Sequence, residues 1–401
     1  MDNLLDILGS FNPNWKDKKW VGDFISIIKE MVVPSYPFLS ARLENDKAVF
    51  SDEWFRIVAA LKEADIFKLF VPQKYGDQKA SEEDIYFMME LLGYASPGMG
   101  VVFASHGRAV DIILQGNDAQ KNEYLPRMAE GAFGAIAMTE KTAGSDAGAI
   151  GLMARKSGVG YLFYGEKIFI SNSGLADIYT VLANTKGVKG PRSLSLFIVE
   201  KSTPNFSVKK LPEKDGLKIL PTGRLIFQNS PVPKENLVGE EGRGLIGSVN
   251  VIDRGKIHIA GICCGLAYRI FREIHHYVQG REQFDHPLTQ SQDISFQLSD
   301  MYTGMTAARG LCFHALKQIG TPHYSLGAAQ TKLFASRMVM EAASRAQVLM
   351  GGRGYFKNDL INQLSADARG MEYLEGTSNV QKMLIGKQLF RMFREENAGC
   401  R

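Results

Sequence analysis

The chain has 401 residues, 45% hydrophobic and 22% charged, with 47 basic and 43 acidic side chains and a net charge of +4. That is ordinary globular composition, with length for two or three domains and a sizeable core. The mild basic excess includes no long Lys/Arg run, so nucleic acid is not an expected partner, while an anionic small molecule is compatible with it.

The first residues, "MDNLLDILGS", lack the basic start of a signal peptide. The longest uncharged apolar runs are about a dozen residues, too short to span a bilayer. Cys263, Cys264, Cys312 and Cys400 form no CxxC pair. Cys263 and Cys264 read as buried free thiols in "IHIAGICCGLA". The expectation is a cytoplasmic protein without membrane contact.

Residues 1–134 read as a helical domain. In "DEWFRIVAALKEADIFKLF", Trp54, Ile57, Val58, Leu61, Ile66 and Leu69 recur near helical spacing, with Asp52 as the expected cap. "SEEDIYFMMELLGYAS" opens on a serine followed by acids, a helix start, and "NDAQKNEYLPRMAEG" is a further amphipathic piece. From 135 to 240, "GYLFYGEKIFIS", "IYTVLAN", "SLSLFIVEK" and "RLIFQNS" are short β-branched or aromatic runs separated by turn-forming stretches. They predict a small antiparallel β domain. From 241 to 401 the helical period returns, with Ile259, Ile262, Leu266, Ile270, Ile274 and Tyr277 on one stripe. The fold class is α+β: helical, then β, then helical.

No GxGxxG follows a predicted strand, and no P-loop, HExxH or EF-hand pattern occurs, so no metal site is expected and a nucleotide would bind by another route. Three segments concentrate polar and turn-forming groups. "AMTEKTAGSDAGAI" carries Thr139, Ser145 and Asp146, with Gly144 allowing close backbone approach. "KIFISNSG" sets Ser171, Asn172 and Ser173 beside Phe169. "GREQFDHPLTQSQ" places Arg281 before Phe284, a guanidinium for phosphates and a phenyl for a heteroaromatic face. A fourth, "EYLEGTSNVQK", holds Glu375 between apolar Leu374 and a flexible turn. Taken singly, these segments also fit ordinary loops and strand or helix ends.

Together they resemble the acyl-CoA dehydrogenase family. The resemblance runs in order through "VPQKYGDQKASEED", "DAQKNEYLPRMAEG", "AMTEKTAGSD", "EKIFISNSG", "SPVPKENLVGEEGRG", "REQFDHPLTQSQ", "MGGRGY" and "EGTSNVQ". It implies an N-terminal all-α domain, a middle antiparallel β domain and a C-terminal four-helix bundle. It also implies FAD bound noncovalently without a Rossmann loop. By similarity, Met138 and Thr139 contact the flavin edge and Ser145 the thioester arm. Phe169 stands where the family usually has tryptophan, and Ser171 where it has threonine. Arg281, Phe284 and Gln292 would hold the cofactor of a neighbouring subunit, implying a homodimer or homotetramer. Thr377 would reach the cofactor, and Gln347 and Gly351 belong to a further cofactor-contacting segment. Gln347 lies one residue early, leaving Val348 in the usual glutamine slot.

Glu375 matches the family's catalytic base, which removes a Cα proton as hydride leaves Cβ for flavin N5. A dry apolar pocket would raise its proton affinity, and the backbone at Gly376 could present an N–H to the thioester carbonyl. Some relatives carry the base on the helix near 252–256; here Gly255 removes that option. Asp253 would accept a hydrogen bond from a pantetheine amide, and Lys256 replaces the usual arginine. His106 falls where the family places acyl-pocket residues and reads as a packing histidine; His275 and His276 read as solvent-facing.

The expected activity is FAD-dependent α,β-dehydrogenation of an acyl-CoA, with an electron-transfer flavoprotein as acceptor. Open alternatives are an acyl, hydroxyacyl or aminoacyl group on a carrier protein, an oxidase using O₂, and a flavin-binding interaction protein without dehydrogenase activity.

Overall fold

The computed structural model describes residues 1–77, 80–158 and 160–399. Gln78 and Lys79, inside one family-like segment, and Cys400 lie outside the described residues. The N-terminal region contains α1 (Asp2–Phe11), α2 (Lys19–Ile27) and α3 (Val33–Ser35), then strands β1 (Ala41–Glu44) and β2 (Lys47–Phe50). There follow α4 (Asp52–Glu63), α5 (Gln73–Gly76), α6 (Glu82–Ala95), α7 (Pro97–Ile113) and α8 (Asp118–Ala129).

The β1–β2 hairpin is an addition to the helical reading. Its turn, Asn45–Asp46, has φ of 46° and 64°, the left-handed pair that Asn and Asp tolerate in a two-residue hairpin loop. Asp52 is the first residue of α4, and Ser51 stands in the cap position assigned to it. An acid there still favours the helix through its macrodipole. The Ser81 start is a full capping box: Ser81 Oγ accepts from Asp84 N, and Asp84 Oδ2 accepts from Ser81 N at 2.7 Å.

The middle region forms one eight-stranded sheet from β3 (Gly134–Ala137), β4 (Met153–Ser157), β5 (Gly160–Ser171), β6 (Ile178–Asn184), β7 (Leu194–Glu200), β8 (Phe206–Lys210), β9 (Thr222–Pro233) and β10 (Leu237–Val238). Most pairs are antiparallel, but β3 and β4 both pair with β6 in parallel. Strand β6 is buried at every position, because α7 packs on one side and the sheet's own apolar cluster fills the other. That explains its continuous apolar run, where a half-exposed strand would alternate.

The C-terminal region opens with the 37-residue α9 (Gly244–Gly280). A small hairpin of β11 (Glu282–Gln283) and β12 (His286–Pro287) leads into α10 (Gln292–Leu316), α11 (Tyr324–Leu349), α12 (Leu360–Met371) and α13 (Ser378–Gly399). Helices α9, α10 and α11 pack on one another, and α13 lies on α11. Buried α6 joins this bundle through Arg309 of α10, whose Nε donates to Glu90 Oε1 at 2.7 Å.

The α6–α9 crossing depends on glycine. A Cβ on Gly265 would strike Glu90 O and Tyr94 N, and one on Gly93 would strike Ile262 O. The two helix backbones therefore touch directly. Gly265→Ala is expected to cost about 3 kcal/mol or more, as overpacking against backbone that cannot yield. Gly310→Ala, mid-helix in α10 with open space around it, should be neutral or stabilise by up to about 1 kcal/mol. Denaturant midpoints of the two variants check the contrast.

Candidate active site

Glu375 sits in the six-residue connection between α12 and α13. It has φ of 54°, followed by Gly376 at 87°. Glycine adopts that region freely, but a glutamate is strained there and must be held. Lys332 of α11 donates to Glu372 O at 2.8 Å and Gly376 O at 2.9 Å. Gln381 donates to Glu375 O at 2.9 Å and Gly376 O at 3.0 Å. These bonds satisfy carbonyls of the connection itself, which no helix or strand pairs. Burial lowers the Lys332 ammonium to about 8.

The Glu375 carboxylate points inward, and its side chain is 5% exposed. Its Oε1 accepts from Nη1 of Arg108, on α7, whose side chain is 9% exposed. Gly255 of α9 completes the meeting point: a Cβ there would lie 2.8 Å from Glu375 Oε2 and 2.8 Å from Arg108 Cδ. Thus the absence of a side chain at Gly255 is what makes room for this carboxylate. The pocket is dry, as the sequence suggested, but it is not apolar. A guanidinium in contact favours the ionised carboxylate, whereas apolar surroundings would disfavour it. Burial lowers Arg108 to about 10, leaving it cationic at neutral pH.

Sequence reasoning passed over Arg108. The signal was present: an arginine inside a 17-residue helix buried at every position is too costly to lack a partner. Next to it the charges alternate. Asp111 Oδ1 accepts from Arg254 Nη1, and Arg254 Nε donates to Glu82 Oε2 at 2.7 Å. Burial raises Asp111 to about 6, and its Oδ2 has no partner. His258, one helical turn beyond Gly255, has two ring nitrogens without partners. Burial, with Arg254 and Arg108 nearby, holds its imidazole well below the usual range. Asp253 and Lys256 pair with each other at 2.6 Å and are both buried; Ser325 Oγ donates to the second oxygen of Asp253. A cavity of about 380 Å³ lies alongside, lined by Glu82, Asn250, Arg254, Ile319, Tyr324 and Ser325 among others.

The loop after β3 carries Met138, Thr139 and Ser145. Lys167 clamps it, donating to Met138 O at 2.9 Å and Glu140 Oε1 at 2.8 Å. Glu140 in turn accepts from Gly151 N at 2.8 Å and Leu152 N at 2.9 Å. Ile168 N donates to Thr139 O at 2.8 Å, which places Thr139 beside Phe169. Phe169 occupies a bulge in the β5–β9 pairing, with φ of 59° and a ring 64% exposed. Ser171 ends the same strand half-buried. Asn172 Nδ2 then donates to Val102 O at 3.0 Å, tying this corner to α7. Arg108 lies six residues further along α7, about 9 Å at a helical rise of 1.5 Å per residue.

An exposed aromatic on a strained bulge, adjacent hydroxyls and an open loop at Gly144 and Ser145 suit a planar heteroaromatic ligand. The second set of residues expected to contact the cofactor lies elsewhere. Arg281, Phe284 and Gln292 are exposed on the β11–β12 hairpin and the start of α10; Phe284 is 95% exposed with φ of 53°. Arg281 follows Lys256 by 25 residues, about 37 Å along a helix, so these residues do not converge with Glu375 within one chain. Gln347 donates to Asn362 Oδ1, Gly351 is exposed with φ of 58°, and Thr377 Oγ1 accepts from Val380 N at the start of α13. His106 is a packing residue, its Nδ1 accepting from Gly134 N at 3.3 Å, and His275 and His276 are exposed.

Comparison with known proteins matches residues 32–132, 135–230 and 242–390 to the N-terminal, middle and C-terminal domains of acyl-CoA dehydrogenases. The short-chain-specific acyl-CoA dehydrogenase of Clostridium acetobutylicum is 35% identical over 324 residues, covering 80% of this chain and 85% of that protein. The butyryl-CoA dehydrogenase structure from Megasphaera elsdenii superposes with a TM-score of 0.86 at 31% identity, covering 94% of this chain and 98% of that one. A chain in a structure of the electron transferring flavoprotein of Acidaminococcus fermentans aligns with a TM-score of 0.85 at 31% identity, covering 92% and 96%.

Lys167→Met would leave the buried Glu140 without its cation. It is expected to lower stability by about 3 kcal/mol or more and to reduce flavin content per chain. Denaturant unfolding and the flavin-to-protein absorbance ratio measure both effects.

Proposed function

The chain belongs to the acyl-CoA dehydrogenase family, and we propose that Glu375 is the base that takes the Cα proton of its acyl thioester substrate. As a family member it is an FAD-dependent oxidoreductase acting on CH–CH bonds. The observation that carries the assignment is the buried Glu375 carboxylate, strained in place and packed against Gly255, where no side chain stands.

FAD, when bound, supplies an acceptor at N5 for the hydride that leaves Cβ, and Met138, Thr139, Phe169 and Ser171 would hold its ring. The remaining chemistry belongs to the chain. Arg108 occupies Oε1 of Glu375, so Oε2 is the oxygen left to receive the Cα proton. The left-handed turn at Glu375 and Gly376 would bring the Gly376 backbone N–H towards the thioester carbonyl, where it would stabilise the developing enolate. Dry surroundings strengthen each of these interactions. The cavity lined by Arg254 and Ser325, with Asp253, Lys256 and Ser145, would receive the polar thioester arm. The short-chain relatives support a short acyl group.

Arg281, Phe284 and Gln292 would complete the cofactor site of a second copy, making the working unit a homo-oligomer. The Acidaminococcus likeness supports an electron-transfer flavoprotein as acceptor. Among the described residues no helix is long and apolar enough to cross a membrane. Buried free thiols at Cys263, Cys264 and Cys312 suit the reducing cytoplasm.

Anaerobic mixing of the flavoprotein with acyl-CoAs, and with the same acyl groups on a carrier protein, should bleach the oxidised flavin. Glu375→Gln should retain flavin and slow bleaching by about 10²- to 10⁴-fold, the usual contribution of a general base. Bleaching at the wild-type rate in Glu375→Gln would remove the assignment. Bleaching only by carrier-bound esters would replace CoA as the handle.

A further inference from the structure

We propose that Gln381 is a positioning residue for the reaction: its side-chain amide holds the Glu375–Gly376 peptide so that the Gly376 N–H faces the thioester carbonyl. The inference rests on the dehydrogenase reading above, in which that N–H stabilises the developing enolate.

Gln381 lies in the first turn of α13 and is fully buried. Its Nε2 donates to Glu375 O at 2.9 Å and to Gly376 O at 3.0 Å. Only the nitrogen end of the amide can serve two carbonyls, so these partners fix which way it points. The two carbonyls do not depend on it equally. Gly376 O also accepts from Lys332 at 2.9 Å. Among the described residues, Gln381 is the only donor to Glu375 O. The Gly376 N–H, on the same peptide unit, has no acceptor among the described residues.

A trans peptide is planar, with its C=O and N–H on opposite edges. Drawing Glu375 O towards Gln381 therefore turns the Gly376 N–H the other way. The joint needs such a lock. Reversing this peptide takes rotation about ψ of Glu375 and φ of Gly376, and a glycine resists that rotation least. Gly376 sits at φ of 87°, where other residues are rarely found. A reversed peptide would present an oxygen to the developing oxyanion, turning an attraction into a repulsion. Gln381 would also polarise the N–H that it aims, because accepting at one end of a peptide strengthens donation at the other. That gain is only roughly 10–30% of a bond, so aim is the larger effect.

Stability alone does not account for this amide. Gln381 Oε1 is buried without a partner, a cost that a methionine in the same space would not carry. Lys332 already ties the turn through Glu372 O and Gly376 O. What the amide adds is the bond to Glu375 O, the carbonyl of the peptide that carries the enolate donor.

The test uses the FAD-loaded enzyme and Gln381→Met, which keeps the length of the side chain and loses its donors. The limiting rate of flavin bleaching by an acyl-CoA should fall about 10-fold or more, part of the ~10²- to 10³-fold that follows loss of a whole oxyanion donor. Affinity for the ester should fall by less than the rate. Infrared spectra of an acyl-CoA labelled with heavy carbon at its carbonyl, bound to Glu375→Gln to prevent turnover, read the contact itself. Binding should move the carbonyl stretch to lower frequency, and adding Gln381→Met should reverse most of that shift. Gln381→Glu offers at most one donor for two carbonyls; it should also reduce the shift, and it carries the test if the methionine variant fails to fold. A rate and a shift that survive both substitutions overturn the proposal. So does a slower rate with the shift intact, which is the mark of a structural role alone. Failure of every acyl-CoA to bleach the wild-type flavin would defeat the dehydrogenase reading, while the infrared comparison, which needs binding but no turnover, would still decide the role of Gln381.

Discussion

A carboxylate withdrawn from water must be given a partner, and the centre of this protein is arranged around that requirement. Glu375 meets Arg108 at a point where a helix of the N-terminal region, a helix of the C-terminal region and the α12–α13 turn converge. The charge pair is affordable only because the remaining space is filled: Gly255 contributes no side chain, so backbone from α9 closes against both groups. Every element that fixes α7 relative to α9 therefore fixes this carboxylate. The glycine-mediated contact of α6 with α9 and the buried Arg309–Glu90 pair belong to that same scaffold.

The two loops proposed to carry the chemistry are held in the same way. Lys332 donates to backbone carbonyls of the Glu375 turn, and Lys167 donates to a carbonyl of the Met138–Thr139 loop. Burial brings each ammonium down to about 8. A lysine with three donors can tie irregular backbone from inside, where water cannot reach. This leaves the outer surface of each loop available to ligands. The strained residues, Glu375 and Phe169, lie immediately beside these clamps.

Much of this was legible in the sequence, for identifiable reasons. Strands Gly160–Ser171 and Ile178–Asn184 coincide with the runs read as strands because β-branched and aromatic residues fill them between clear turn signals. The Ser81 capping box is a local pattern with a local cause. The β1–β2 hairpin was missed because its strands are four residues each and half-exposed, too short to show a period. The parallel pairing of β3 and β4 with β6 is a tertiary choice that alternation does not encode. Glu375 stood out by its setting and its resemblance, but Arg108 is 267 residues away in sequence. No local pattern joins them; only the folded helices do.

The most direct test of the central claim is wash-in of solvent deuterium at the thioester Cα. The FAD-loaded enzyme would be held anaerobically in heavy water with its best acyl thioester, and Cα labelling followed by mass spectrometry. If Glu375 is the base, wild type should label Cα and Glu375→Gln should not, although both bind the ester. Labelling at an undiminished rate in Glu375→Gln would mean that another group takes the proton, and the site built around this carboxylate would have to be read again.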